Sequence, residues 1–189
     1  MVYKGNERFI LNGDEIDLTM QDFWQWAYSD LLNNMRRSVL AEFIVASSLG
    51  INAPDAMRVM WQPYDLMYEG LRIEVKSAAY VQSWDIRHPD HISFRIAPAK
   101  MPDDDGDYHR DTVRTRNSDV YVFCIYKATS PDQNPLDLDL WDFYTIATKV
   151  LDEKKPNQKT ITLPRLMDLG LWQCDYYGIA GGIEKAMDV

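Results

Sequence analysis

The segment Arg72-Ile73-Glu74-Val75-Lys76-Ser77-Ala78-Ala79-Tyr80-Val81-Gln82 sets a carboxylate and an ammonium two residues apart in an alternating run. A period of two marks a strand. Glu74 and Lys76 then project from one face with Arg72, Ala78, Tyr80 and Gln82, while Ile73, Val75, Ser77, Ala79 and Val81 take the other. Just upstream, Glu69-Gly70 can close a two-residue hairpin turn, although Glu-Gly is a weaker turn signal than Asn-Gly. If it is the whole loop, Tyr68 faces Leu71 and Asp65 faces Glu74, with β-carbons about 4.5–5.5 Å apart. Two carboxylates that close repel unless one holds a proton or a cation lies between them. Lys76 is one candidate cation. A divalent ion such as Mg²⁺, which takes oxygen ligands of this kind, is the other. Glu42 adds a third acid. On a helical wheel it falls on the apolar side, beside Ala46 and between Val39 and Leu49, with Arg37 and Ser48 on the polar side. Burying a lone charge is costly, so Glu42 either pairs with a basic residue such as Arg72 or Lys76 or belongs to a site.

The elements that must position these groups are legible as patterns. Residues 9–18 read as a hairpin around Asn12-Gly13. Thr19 followed by Asp22 forms a capping box opening a helix that carries Phe23, Trp24, Ala27, Leu31 and Leu32 at helical spacing. Asn33-Asn34 interrupts it. A second helix is expected from about Met35 to Leu49, stopped by Gly50. One helical turn is expected over 53–58, a strand over 59–68, and its hairpin partner over 71–81. Residues 92–97 alternate like a half-buried strand. Residues 119–126 form a near-continuous apolar run, the signature of a central strand buried on both faces. Residues 130–140 read as loop, and 141–147 as a further strand. Helices flanking a mixed sheet place the chain in the α/β or α+β class.

The 189 residues suit one domain, 1–189, with a substantial core. The composition, 46% hydrophobic and 26% charged, excludes a mostly disordered or fibrous chain. No apolar run approaches the roughly 18 residues of a membrane span. Residues 1–8 hold no apolar stretch of signal-peptide type. Two cysteines, Cys124 and Cys174, cannot build a disulfide framework, so a reducing cytoplasm is the expected location. The formal charge of −9, from 20 Lys+Arg against 29 Asp+Glu, argues against holding phosphate backbones by bulk electrostatics. Any nucleic-acid role must rest on a local basic patch, on metal ions or on a partner.

An acid on an early helix, an aspartate near one strand and acid-x-Lys on the next resembles the PD-(D/E)XK nuclease superfamily, the restriction-endonuclease-like fold. The residues that carry the likeness are Glu42, Asp65 and Glu74-Val75-Lys76. The chain is also similar, over most of residues 10–165, to an uncharacterised bacterial group with that core. The segments in common are Asp22-Phe23-Trp24-Gln25-Trp26, Leu40-Ala41-Glu42-Phe43-Ile44-Val45-Ala46, Ile73-Glu74-Val75-Lys76-Ser77 and Asp119-Val120-Tyr121-Val122-Phe123-Cys124. The resemblance implies a mixed central β-sheet flanked by α-helices and Mg²⁺-dependent phosphodiester hydrolysis, with Mn²⁺ as a substitute. Asp65, Glu74 and the carbonyl of Val75 would hold the metal, and Glu42 would bind it directly or through water. Lys76 would orient the attacking water, and Gln82 matches the extra polar residue some members carry. DNA is favoured over RNA by this resemblance alone, and a homodimer or a protein partner stays open. The pattern departs in one respect: Tyr64, not proline, precedes Asp65. Pro-Asp pairs occur instead at residues 54, 89, 102 and 131, and acid-x-Lys recurs at Asp152-Glu153-Lys154, so the ordered set carries the weight. The main alternative is a non-catalytic or partner-dependent module that keeps the nuclease fold.

Other clusters read as ordinary surface. His88-Pro89-Asp90-His91 with Asp85 is a turn without a complete zinc set. Asp103-Asp104-Asp105-Gly106-Asp107 lacks the spacing of an EF-hand. Gly178-Ile179-Ala180-Gly181-Gly182 lacks the lysine of a phosphate loop and reads as a turn. The basic run from His109 to Arg116, with Arg36, Arg37 and Arg95, is either a phosphate-facing patch or a solvated helix end. The tryptophans read mostly as core, with Trp84 as a candidate base-stacking residue.

Overall fold

Seven consecutive buried residues, Val120–Tyr126, form the strand around which the molecule is arranged. The computed structural model describes residues 1–53, 57–58, 62–82, 91–100 and 113–188. In chain order the strands are β1 (Arg8–Leu11), β2 (Asp14–Thr19), β3 (Leu66–Tyr68), β4 (Leu71–Ala79), β5 (Ser93–Arg95), β6 (Val120–Tyr126), β7 (Trp141–Ala147), β8 (Thr160–Thr162) and β9 (Trp172–Cys174). The α-helices are α1 (Met20–Tyr28), α2 (Asn34–Ser48), α3 (Thr148–Lys154), α4 (Leu163–Met167) and α5 (Ile179–Met187). The central sheet has the order β3-β4-β6-β7-β9, with β4 and β6 parallel and the other neighbours antiparallel. The pairs β1-β2 and β5-β8 form two small separate sheets.

Alternation along the strands divides the core in two. Ile73, Val75 and Ala79 of β4, with Val120, Val122 and Cys124 of β6, face Ala41, Ile44 and Val45 of α2 and Ile179 and Ile183 of α5. Ala78, Tyr121, Phe123 and Ile125 face the other way, onto Phe94, Leu151, Ile161 and Leu166. A strand covered on both sides has no polar face, which is why β6 is apolar throughout. This is the expected mixed α/β architecture of a central sheet flanked by helices.

Both tight turns have the backbone their sequences demand. Asn12-Gly13 has φ values of 56° and 95°, and Glu69-Gly70 has 49° and 81°, the left-handed pair that suits a two-residue hairpin. The capping box at Thr19 and Asp22 closes as expected. The first helix ends at Tyr28, short of Leu31 and Leu32, so Asn33 does not interrupt it but caps α2, its side chain accepting from the Met35 N–H at 3.0 Å.

Several expectations need correction. The strand expected from residue 59 is limited, among the described residues, to Leu66–Tyr68. Pro63 has no N–H to offer a ladder, and Asp65 leaves the regular pairing as described below. The strand expected to reach residue 81 ends at Ala79, and the 92–97 strand is only three residues long. Arg37 is 1% exposed, not on a polar helix face. Trp141 is core, but Trp26 is 84% exposed and Trp172 is open as well. The glycine-rich 178–182 segment is the start of α5, held to β7 by Thr145, whose Oγ1 donates to the Gly182 carbonyl at 2.7 Å. Trp84, the 88–90 cluster with Asp85, the 103–107 acids, residues 54–56 and residues 109–112 lie outside the described residues. No described helix is long and apolar enough to cross a membrane.

Candidate active site

The hairpin register follows the two-residue turn: Tyr68 pairs with Leu71, Met67 with Arg72 and Leu66 with Ile73. The ladder then stops. The Asp65 N–H donates to the Ile73 carbonyl at 2.9 Å, so the incoming chain sets two residues, 65 and 66, against one of β4. This is the local geometry of a β-bulge. Asp65 therefore does not stand as a regular cross-strand partner of Glu74. Its carboxylate swings to the open edge of β4 and accepts the Val75 N–H at 2.8 Å. In a strand the N–H and C=O of one residue point to the same side. The Val75 carbonyl thus lies along the same edge, beyond the end of β3.

Glu74 and Lys76 leave β4 on the side opposite α2. They form an ion pair with Glu74 Oε1 accepting from Lys76 Nζ. Glu74 sits beside Tyr121 across the parallel β4-β6 pairing. Its carboxyl is pushed above the ordinary glutamate range, chiefly by burial. The charges of Asp65 and Glu42 add to this, and Lys76 opposes it. The Tyr121 hydroxyl is pushed up by its burial and then by the charge of Glu74.

Glu42 is 7% exposed on α2. It pairs with neither Arg72 nor Lys76. Arg72 is held by Asp119, whose two carboxylate oxygens accept at 2.7 and 3.0 Å. Glu42 instead takes a two-pronged pair from Arg58, with Nη2 at 2.8 Å from Oε1 and Nε on Oε2. The charge of Asp65 also reaches Arg58 and helps to raise its pKa. Arg58, within the single turn expected over 53–58, was not singled out by pattern reading. The signal was the buried acid itself, which demanded a cation from somewhere. Glu42, Arg58, Tyr64 and Asp65 line a cavity of about 550 Å³, whose apolar wall includes Phe43 and Met57.

Gln82 is buried away from this cavity. Its Oε1 accepts from the Arg37 guanidinium at 3.4 and 3.5 Å, and its Nε2 donates to the Ala79 carbonyl at 3.3 Å. The structure thus brings Glu42 and Asp65 to one cavity and sets Glu74 and Lys76 on the far side of the same strand edge. It does not bring Gln82 to either. The basic patch keeps only part of its members among the described residues, where Arg95 and Arg114 are exposed. Arg37 is core, Arg36 pairs with Asp30 at 3.7 Å, and Arg116 is buried on Asp152 and three backbone carbonyls.

The donor chemistry fits a hard divalent cation, being carboxylate and carbonyl oxygen throughout, and such a cation would favour the charged form of Glu74, which burial and then its acidic neighbours disfavour against the pull of Lys76. The arrangement is not closed around one point. Among the described residues, no group of three or more His, Cys, Asp or Glu side chains is gathered as a metal site. Lysine and arginine side chains occupy Glu74 and Glu42 instead.

Fold and residues together define a mixed α/β protein with two acids, Glu42 and Asp65, at one cavity and a Glu74–Lys76 ion pair on the other side of β4. The chain belongs to the bacteriophage T4 endonuclease IV family, which it matches over residues 12–164. It is accordingly a member of a nuclease family, whose substrates are the phosphodiester bonds of nucleic acid. No match was found among curated proteins.

Proposed function

We propose that the protein is a divalent-metal-dependent nuclease that hydrolyses DNA through the acids around Val75. The observation that carries this is the electrostatic state of Glu74. A half-buried glutamate is paired with a lysine, within reach of the charges of two further acids, in a chain of a nuclease family. Asp65, Glu74 and the Val75 carbonyl would hold the ion, Mg²⁺ or Mn²⁺, and Glu42 would join them. The ion would acidify water and offset charge developing on the phosphate. Lys76 would hold the attacking water and place a fixed positive charge beside the reacting oxygen. Asp65 fixes the edge by its bond to the Val75 N–H, and Gln82 would act at a distance by anchoring Arg37 and so the start of α2. The assignment of DNA, and of the PD-(D/E)XK superfamily, rests on the motif resemblance.

The test is cleavage of plasmid, single-stranded DNA and RNA with Mg²⁺ or Mn²⁺, against EDTA. DNA is expected to be cut only with metal. Lys76→Ala and Glu74→Ala are each expected to lower the rate about 10³-fold, the scale of losing one charge-stabilising group. Parent protein that cuts nothing, or variants that cut like the parent, would exclude the reading. A non-catalytic module that keeps the fold has one observation in its favour: Glu42 and Glu74 are already paired with side-chain cations. Absence of Mn²⁺ binding by calorimetry would favour it.

A further inference from the structure

The N-terminal hairpin and α1 form a unit with almost no interior. Nine of the ten residues of β1 and β2 are exposed, with Thr19 intermediate, and α1 buries none of its nine. Alternation puts Phe9, Leu11, Ile16 and Leu18 on one face of the hairpin and Arg8, Ile10, Glu15 and Asp17 on the other. The Arg8–Asp17 ion pair at 3.2 Å agrees with that division. The apolar face stays open: Leu11 is 58% exposed and Ile10, across the strand, 70%. Trp26 on α1 is 84% exposed. A two-stranded hairpin is marginal alone and needs a third strand or firm packing.

We infer that a second copy of this chain docks on the open edge of this unit, pairing β1 to β1 about a two-fold axis to make one four-stranded sheet. Charge selects the edge. A two-fold antiparallel pairing centred on Ile10 sets Ile10 against itself, Phe9 of one copy against Leu11 of the other, and Arg8 against Asn12. No like charges meet, and the two apolar faces become continuous. The same pairing along β2, centred on Ile16, sets Glu15 against Asp17, acid on acid, which destabilises a sheet. β1 is also the edge whose main-chain groups pair only with β2, the kind of open apolar edge that templates another strand. The acids Asp14, Glu15, Asp17 and Asp22 around the patch disfavour nucleic acid and anionic lipid as occupants. An isologous contact of this kind closes after two copies.

Sedimentation equilibrium of the full chain at micromolar concentration is expected to give twice the 22.0 kDa chain mass. Ile10→Asp, which places two acids face to face on the axis, is expected to weaken the dimer about 100-fold or more while leaving the far-UV circular dichroism unchanged. In a Cys174→Ser background, Ile10→Cys is expected to give a disulfide-linked dimer on mild oxidation, and Asp17→Cys is not. Parent protein that stays at the single-chain mass would overturn the inference, as would an Ile10→Asp variant that dimerises like the parent. So would a monomer whose Trp26 emission responds only to added DNA or to anionic vesicles, which would give the patch to those occupants. None of these readouts depends on nuclease activity, so the dimer and the proposed reaction fail separately.

Discussion

Glu74 is a carboxylate whose ionisation the fold resists. Burial comes first among the causes, and the nearby negative charges of Asp65 and Glu42 reinforce it against the pull of Lys76. For an acid whose pKa is raised on folding, stability falls as pH climbs from the ordinary glutamate range through the raised value. The metal-free parent should therefore lose stability across that interval, and Glu74→Gln should not. At pH 8 the Glu74→Gln chain is expected to melt above the parent in EDTA by differential scanning calorimetry, although it should no longer cut. A parent that melts higher than Glu74→Gln would mean that the Lys76 pair outweighs burial. Arg58 makes the complementary case. Its removal strands Glu42, whose side chain is only 10% exposed, so Arg58→Gln is expected to cost about 2 kcal/mol without metal. A divalent cation can replace the lost guanidinium charge. The rise in melting temperature on adding Mn²⁺ should accordingly be larger for Arg58→Gln than for the parent, and an equal rise would separate Glu42 from the metal site.

The β3-β4 hairpin carries the site at the level of the element, and its turn is under mild strain. Glu69 sits at φ 49°, a conformation that Asn adopts more readily. Glu69→Asn gives this turn the same Asn-Gly pair that closes β1-β2 at residues 12 and 13. It should raise stability by roughly 0.5 kcal/mol, seen as a higher urea midpoint at unchanged slope, with cleavage unaffected. Slower cleavage would indicate that the turn's strain helps set the position of Asp65. The hairpin also shows how far the sequence could be read. Turn length and alternation foretold the pairing from Tyr68 to Leu66, and the apolar run foretold β6. The swing of the Asp65 carboxylate to the Val75 N–H was not legible, because a bulge has no periodic signature. Glu42 was recognisable as a buried acid from its place on the helical wheel. Its partner was not, since Arg58 comes from an irregular segment and meets α2 only in three dimensions. Arg37 and Arg116 misled for a related reason. Each has a helix or loop position that reads as surface, yet each guanidinium is buried among oxygen acceptors.

At the scale of the whole molecule, a nuclease that carries nine more negative than positive charges meets a polyanion at a disadvantage. Three of the arginines offer little relief, because the buried guanidiniums of Arg37 and Arg116 cannot reach a phosphate and Arg72 is held by Asp119. Neutralising the acids around Val75 with a divalent ion would remove part of the repulsion where the scissile phosphate must sit. Metal should then govern binding as well as cleavage. DNA affinity, measured by fluorescence anisotropy with Ca²⁺ to limit cutting, is expected to fall at least tenfold in EDTA. With metal present, log affinity should drop only gently with log salt, at a slope of about −2 to −3 for two or three phosphate contacts. Tight binding in EDTA with a steep slope would instead reveal a broad basic surface. Exposed cations such as Arg95 and Arg114 would then supply the binding, and the metal's share in recognition would be small.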